Sequence, residues 1–135
     1  ASLAITARLR LALAAGGAGA VRPSYLPVLM SLWQEDGLRV SDLTRRAGLE
    51  PSTMTTLLDR MERDGLLGRR LDPDDRRAQR VFLTSVAGAV HDAALAAVDE
   101  CLTEVLAGVG PERLETLMEA LRTVLTNTER GVARD

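Results

Sequence analysis

The tightest constraint on this chain is the stretch from Pro51 to Gly65. Proline is tolerated in the first turn of an α-helix, where its missing N–H would be unpaired anyway, and glycine suits the residue just past a helix end. Between them Met54, Leu57, Leu58 and Met61 fall at i, i+3, i+4 and i+7, a spacing that gathers them into one apolar stripe. The opposite face carries Ser52, Thr53, Thr55, Thr56, Asp59, Arg60 and Arg63. Such a face is either the solvated exterior of a core helix or a surface that enters a DNA major groove. In a groove the hydroxyls reach base edges or phosphates and the guanidiniums meet phosphate or guanine. The helix alone does not choose between these readings.

Its flanks add context. Upstream, Ser41 is the expected N-cap of a short helix in which Leu43 and Ala47 share a face, and Gly48 is suited to end it in the left-handed conformation. Only Leu49 and Glu50 separate Gly48 from Pro51, the brief turn of a helix-turn-helix. Downstream, Leu66 to Leu71 and Gln79 to Leu83 read as strands around Asp72-Pro73-Asp74-Asp75-Arg76-Arg77, a tip too polar to be core. Taken alone the last feature is equally an ordinary charged hairpin. The order helix, turn, helix, hairpin from Val40 to Thr84 is that of a winged helix-turn-helix. The fold class expected is mainly α with a small β-hairpin wing (α+β).

The ordered landmarks PSTMTTLLDRMERDGLLGRR, DPDDRRA and VFLTSVAG resemble the DNA-binding domain of MarR-type bacterial transcriptional regulators over residues 40–88, with weaker similarity in the flanks. The resemblance implies a division into an N-terminal dimerisation helix and Gly-rich connector (1–22), a winged helix-turn-helix (23–84) and C-terminal dimerisation helices (85–135). It also implies a wing Asp-x-Arg pattern, matched by Asp75 and Arg77, in which the aspartate braces the wing and the arginine reaches into the minor groove. On this reading Ser52, Thr53, Thr55, Thr56 and Arg60 approach the major groove. Thr53 and Thr56 are the base readers and Arg60 is a phosphate contact. Arg76 or Arg69 meets phosphate beside the wing.

A net charge of −2 is awkward for a DNA binder until it is divided along the chain. From Arg39 to Arg80 there are ten arginines against eight acids; from Val81 onward there are four against nine. Basic charge therefore concentrates in the reading segment, although Asp72, Asp74 and Asp75 dilute it beside the wing. Affinity is expected to rest on a few placed contacts and on pairing of two chains rather than on a strong general field.

Taken in order, residues 3–15 read as a helix with Ile5, Leu9, Ala12 and Leu13 on one face, followed by a connector at Gly16, Gly17 and Gly19. The next helix is expected from Tyr25 to about Asp36 with Ser24 as N-cap, which puts Pro27 at the third helical position, where no N–H is needed. The alternative, implied by the resemblance, starts it at Pro23. Thr84 is the expected cap of one long helix from Ser85 to about Ala107, and Pro111 opens a last helix with Leu114, Leu117, Met118, Leu121, Val124 and Leu125 in a stripe. This is more apolar surface than a small winged helix needs, and a second copy of the chain is the simplest outlet.

By resemblance, the first and last two helices interlock into a homodimer that reads a near-palindromic double-stranded DNA operator. A small aromatic effector would bind between the dimer helices and the reading domain. Arg8, Tyr25 and Trp33 are candidates for that pocket wall, although a helical apolar stripe explains Tyr25 and Trp33 equally well. His91 and Cys101 offer no metal-ligand spacing, so no metal or other cofactor is expected. One cysteine excludes an internal disulfide framework. The absence of a Gly-rich phosphate loop and of a histidine-based triad argues against an enzyme. No apolar run approaches a membrane span and no signal peptide is visible, so a cytoplasmic location without membrane contact is expected. The expected function is thus a dimeric sequence-specific DNA-binding transcriptional regulator, a repressor released by a small-molecule effector; the alternative is a winged helix that binds protein instead of DNA.

Overall fold

The structure, a computed structural model, describes residues 2–132. Helix α1 spans Ser2–Ala15; a 3-10 turn over Pro23–Tyr25 leads into α2, Leu26–Gln34; β1, Leu38–Arg39, precedes α3, Val40–Ala47, and α4, Pro51–Arg63. Strands β2, Leu67–Leu71, and β3, Gln79–Leu83, form the wing, followed by α5, Ser85–Ala89, α6, His91–Val105, and α7, Pro111–Val132. Helices around a small antiparallel sheet make this the expected winged helix-turn-helix. By packing, the described residues up to 102 form one unit and those from 103 onward another.

The core forms because each element supplies a stripe. Met54, Leu58 and Met61 of α4 are at most 1% exposed and meet Leu43 of α3, Val28, Leu29 and Leu32 of α2, and Val81 of β3 in one cluster. Each such side chain contributes about 1.5–3 kcal/mol by leaving water. Leu13 of α1, Ala87 of α5, and Ala94 and Ala97 of α6 join the same cluster, so the flanking segments share the core of the winged helix. Gly48 closes α3 with φ +66°, and Gly65 follows α4 with φ +77°, both in the left-handed region that glycine adopts at little cost.

Several local expectations are corrected. The helical entrance is at Pro23, not Ser24: Arg22 is the N-cap, Pro23 takes the first position, and the Tyr25 N–H bonds the Arg22 carbonyl at 2.9 Å. The segment begins as a tight 3-10 turn, and α2 ends at Gln34 rather than Asp36. Ser41 lies inside α3, whose N-cap is Arg39. The first wing strand starts at Leu67, one residue late, and Leu38–Arg39 adds a third strand by pairing with Val81 and Arg80. Gly37 makes the turn into it at φ +73°, and Arg80 Nη1 bonds the Gly37 carbonyl at 2.8 Å.

The long helix after the wing is broken at Val90. Thr84 does cap its start, accepting the Ala87 N–H at 3.4 Å while donating to the Gly65 carbonyl at 2.6 Å. In an unbroken helix the Ala87 carbonyl would receive the His91 N–H; here it receives the Trp33 indole Nε1 at 3.3 Å. A glycine at position 88 further lowers the cost of departing from helix. The two shorter helices are the result. In α7, taken by itself, Leu117, Met118, Leu121, Val124 and Leu125 are all exposed, Leu125 to 63%. A 22-residue helix with a bare apolar stripe is marginal without packing.

Candidate nucleic-acid interface

The apolar stripe fixes which way α4 faces. With Met54, Leu57, Leu58 and Met61 inward, Ser52, Thr53, Thr55 and Thr56 are exposed and Arg60 is half-buried. The four hydroxyls are not equivalent. Thr55 Oγ1 donates to the Pro51 carbonyl at 3.1 Å and Thr56 Oγ1 to the Ser52 carbonyl at 3.2 Å. Each bond commits the hydroxyl proton and leaves oxygen lone pairs and a methyl group outward. Thr53 makes no side-chain hydrogen bond to a described residue, so it keeps both donor and acceptor capacity. Thr53 therefore suits either edge of a base pair, whereas Thr56 suits an amino donor or a thymine methyl.

The wing is held by a buried carboxylate. The Asp72 side chain is fully inaccessible and accepts Arg39 Nε at 2.7 Å and Arg80 Nε at 3.1 Å on one oxygen, while its other oxygen accepts the Asp74 N–H at 2.9 Å. The Asp74 N–H, with Arg39 and Arg80 beside it, holds its carboxyl below the usual carboxylate range despite burial. One acid thus ties β1, β3 and the start of the wing loop. Across the loop base the Asp72 N–H bonds the Ala78 carbonyl at 2.9 Å. Asp75 accepts the Arg77 backbone N–H at 3.0 Å, a local turn bond that orients the chain at the tip. Arg76 and Arg77 project exposed from this tip, and neither guanidinium pairs with a described residue. Sequence reasoning missed Asp72; an aspartate followed by proline at a strand end, with arginines at positions 39 and 80 in adjoining strands, was the available signal.

Arg69 departs from the expected phosphate role. Its Nη2 pairs with Asp59 and Glu62, each at 2.7 Å, and its Nε bonds Glu62 at 3.0 Å. These carboxylates raise the guanidinium's already high pKa. Two acids on α4 lie within reach of one cation on β2, so Arg69 is turned back onto the helix and links the wing to α4.

The three pocket candidates do not converge. The Tyr25 ring is fully buried and its hydroxyl donates to Asp64 Oδ2 at 2.5 Å, tying the entrance of α2 to the end of α4. Burial and the Asp64 carboxylate push its pKa up. Trp33 is half-buried, hydrogen-bonded to Ala87, and meets the His91 ring edge-on at 4.8 Å between centroids. Arg8 is exposed on α1. None of the three lines a cavity of about 580 Å³ whose walls include Thr6, Arg10, Ala14, Val21, Arg22 and Arg60. A second depression, lined by Ser24, Ser52, Thr53, Thr56, Leu57 and Arg60, runs along the outer face of α4 and shares Arg60 and Ser24 with the first. Cys101 is buried. No described helix is long and apolar enough to cross a membrane.

Known proteins with this geometry read alike. Residues 23–78 match the sequence profile of the MarR family. The chain is 44% identical over 62 residues to the HTH-type transcriptional regulator TtmR of Methylorubrum extorquens, a match spanning 46% of this chain and 31% of that protein. The aligned part is thus about a third of the length of that relative. A probable transcriptional regulator from Pseudomonas aeruginosa superposes with a TM-score of 0.81 at 26% identity, over 91% of this chain and 90% of that one. The PcaV transcriptional regulator from Streptomyces coelicolor, solved in complex with its natural ligand, superposes with a TM-score of 0.72 at 28% identity, over 78% and 74% of the two chains.

Proposed function

The winged helix at residues 23–78 belongs to the MarR family, and from that premise we propose that the chain is a dimeric, sequence-specific DNA-binding transcriptional regulator, a repressor released by a small molecule. The observation that carries this reading is the pairing of two presented surfaces. Helix α4 offers exposed hydroxyls beside Arg60, and the wing offers two unpaired arginines on a loop that Asp72 and Asp75 brace. Regulators with the same fold support it.

Within this reading Thr53 and Thr56 read base edges, Ser52 and Thr55 lie against the groove, and Arg60 meets phosphate. Arg77 enters the minor groove and Arg76 meets phosphate beside it. Arg69 serves these contacts indirectly, by fixing the wing to α4. The exposed stripe of α7 supports pairing of two chains, because apolar area of this extent on a helix is stabilised by a partner surface. A two-fold pair places two recognition helices about one DNA turn, roughly 10 base pairs, apart. The ligand complex of PcaV supports release by a small molecule.

The test is selection of bound duplexes from a randomised pool at two salt concentrations, with wild type and Arg77→Ala. Wild type should recover an inverted repeat. The variant should bind it more weakly, with the salt slope reduced by about one. Enrichment of no motif by a folded, dimeric protein would refute the reading in favour of a protein-binding winged helix.

A further inference from the structure

Helix α4 has two flanks, and they are furnished differently. Successive residues of a helix are about 100° apart, so positions 60 and 62 project from nearly opposite sides. Glu62, with Asp59, meets Arg69 of the wing. Arg60 instead lies against α1 and the segment from Val21 to Ser24, where it lines the 580 Å³ cavity together with Arg10 and Arg22. Thr53 and Thr56 lean to the same side as Arg60, and the depression they line shares Arg60 and Ser24 with the cavity, so the two concavities adjoin. No acidic residue lines either of them. Arg39, Arg45, Arg46, Arg69 and Arg80 are each neutralised by a carboxylate, whereas Arg10, Arg22 and Arg60 pair with no described acid. Arg22 and Arg60 both lie close enough to the Tyr25 hydroxyl to favour its ionised form, which places the two guanidiniums in one small region. Like charges held together in this way are stabilised by an anion that spans them.

A helix seated in a major groove, roughly 12 Å wide, has a sugar–phosphate backbone along each flank. On the wing flank Arg76 and Arg77 are placed to meet one of these; on the other flank α4 supplies Arg60. We propose that Arg10 and Arg22, with the Ser24 hydroxyl, grip the second backbone, so that the DNA interface continues from α4 across the entrance of α2 onto α1. A polyanion fits this wall because it carries charge along its whole length, from Arg60 past Ser24 and Arg22 to Arg10. Its phosphate oxygens match both guanidinium forks and a hydroxyl donor. Contacts of this kind position the duplex and add affinity without reading sequence. The first helix thereby takes part in DNA binding itself, besides any part in pairing. This inference rests on the DNA-binding reading above.

The test uses the full chain and the selected operator duplex. Arg10→Gln and Arg22→Gln alter exposed side chains, keeping the stem and removing the charge. Each should weaken binding about tenfold at low salt and lower the slope of log affinity against log salt by about one. The affinity ratio between the operator and its single-base variants should stay as in wild type. Arg113→Gln, the same change at an exposed position of α7, should leave the slope as it is. Duplexes carrying a neutral methylphosphonate at one position then locate the contact. At some phosphate that replacement should weaken wild type and not weaken Arg22→Gln further, and this phosphate should differ from those coupled in the same way to Arg77→Ala. Unchanged slopes in Arg10→Gln and Arg22→Gln, a changed operator ratio, an equal fall in Arg113→Gln, or coupling of Arg22 and Arg77 to the same phosphates would overturn the inference. If the slope still fell in Arg77→Ala, DNA binding through the wing would stand without it. A wild-type chain that selects no duplex would overturn both.

Discussion

The Tyr25–Asp64 contact can be tested with unusual clarity, because the chain contains no lysine, one tyrosine and one cysteine. Arginine does not deprotonate in the accessible range, so in a Cys101→Ala background Tyr25 is the one side chain expected to titrate at alkaline pH. Its hydroxyl donates to an exposed carboxylate at 2.5 Å. A hydrogen bond to a charged group is worth about 1.5–3 kcal/mol, and Asp64 regains water when the bond is lost, so Tyr25→Phe should cost about 1–2 kcal/mol. For a chain of this size that lowers Tm by roughly 3–10 °C. The pH dependence follows from the raised pKa. Burial and Asp64 keep the folded phenol protonated where the unfolded chain, near its ordinary 10.0, has begun to ionise. The stabilisation is fully present below that pH and is lost as pH rises through the folded pKa, at up to about 1.4 kcal/mol per pH unit. Urea unfolding from pH 8 to 12, read with tyrosinate absorbance, should show this alkaline fall in the Cys101→Ala parent and not in its Tyr25→Phe derivative. Equal stability of the two proteins, or the same fall in both, would refute the reasoning.

Other predictions concern the interface and its supports. Thr53→Ala should cost about 1–3 kcal/mol of affinity at one operator position and little elsewhere, measured by competition with single-base variants. Asp72 has a depressed pKa, so its stabilisation is present above the ordinary 3.8 and lost as pH falls through the lower folded value. Amide exchange should show β1 and β3 losing protection in acid in wild type, and Asp72→Asn should show weaker protection already at neutral pH without that acid step. Gly37→Ala places a Cβ 2.9 Å from Phe82 Cε1 at φ +73°, so it should destabilise by at least about 1–2 kcal/mol from backbone strain alone, read by urea denaturation.

How much was legible in the sequence depended on how local the cause was. The stripe of α4, its Pro51 start and the glycines at 48 and 65 follow from spacing within a few residues, and the structure has them where spacing puts them. The Ser24 and Ser41 caps were misplaced because capping propensity does not say at which of several neighbouring residues the turn starts, and the N-caps are Arg22 and Arg39, each two positions earlier. The break at Val90 depends on an indole 54 positions away, which periodicity cannot register. The wing brace shows the same limit. Asp75 was singled out by the resemblance alone, and its bond reaches a residue two positions on, whereas Asp72 gains its role from Arg39, 33 positions distant, and carried no pattern to mark it. Arg69 looked free because the acids that hold it lie on the preceding helix, seven and ten positions back.

The Arg69 bridge has a bearing on how salt titrations of this protein are interpreted. Its carboxylate partners are roughly half exposed, and exposed ion pairs weaken as the Debye length shrinks. On the DNA-binding reading, added salt should therefore act twice, displacing the protein from phosphates and slackening the strut that ties the wing to α4. The slope of log affinity against log salt should then exceed the count of phosphate contacts. An Arg69→Met variant, which keeps the stem and removes the strut, should bind more weakly at low salt yet decline less steeply, and the difference between the two slopes measures how much of the apparent counterion release is mechanical.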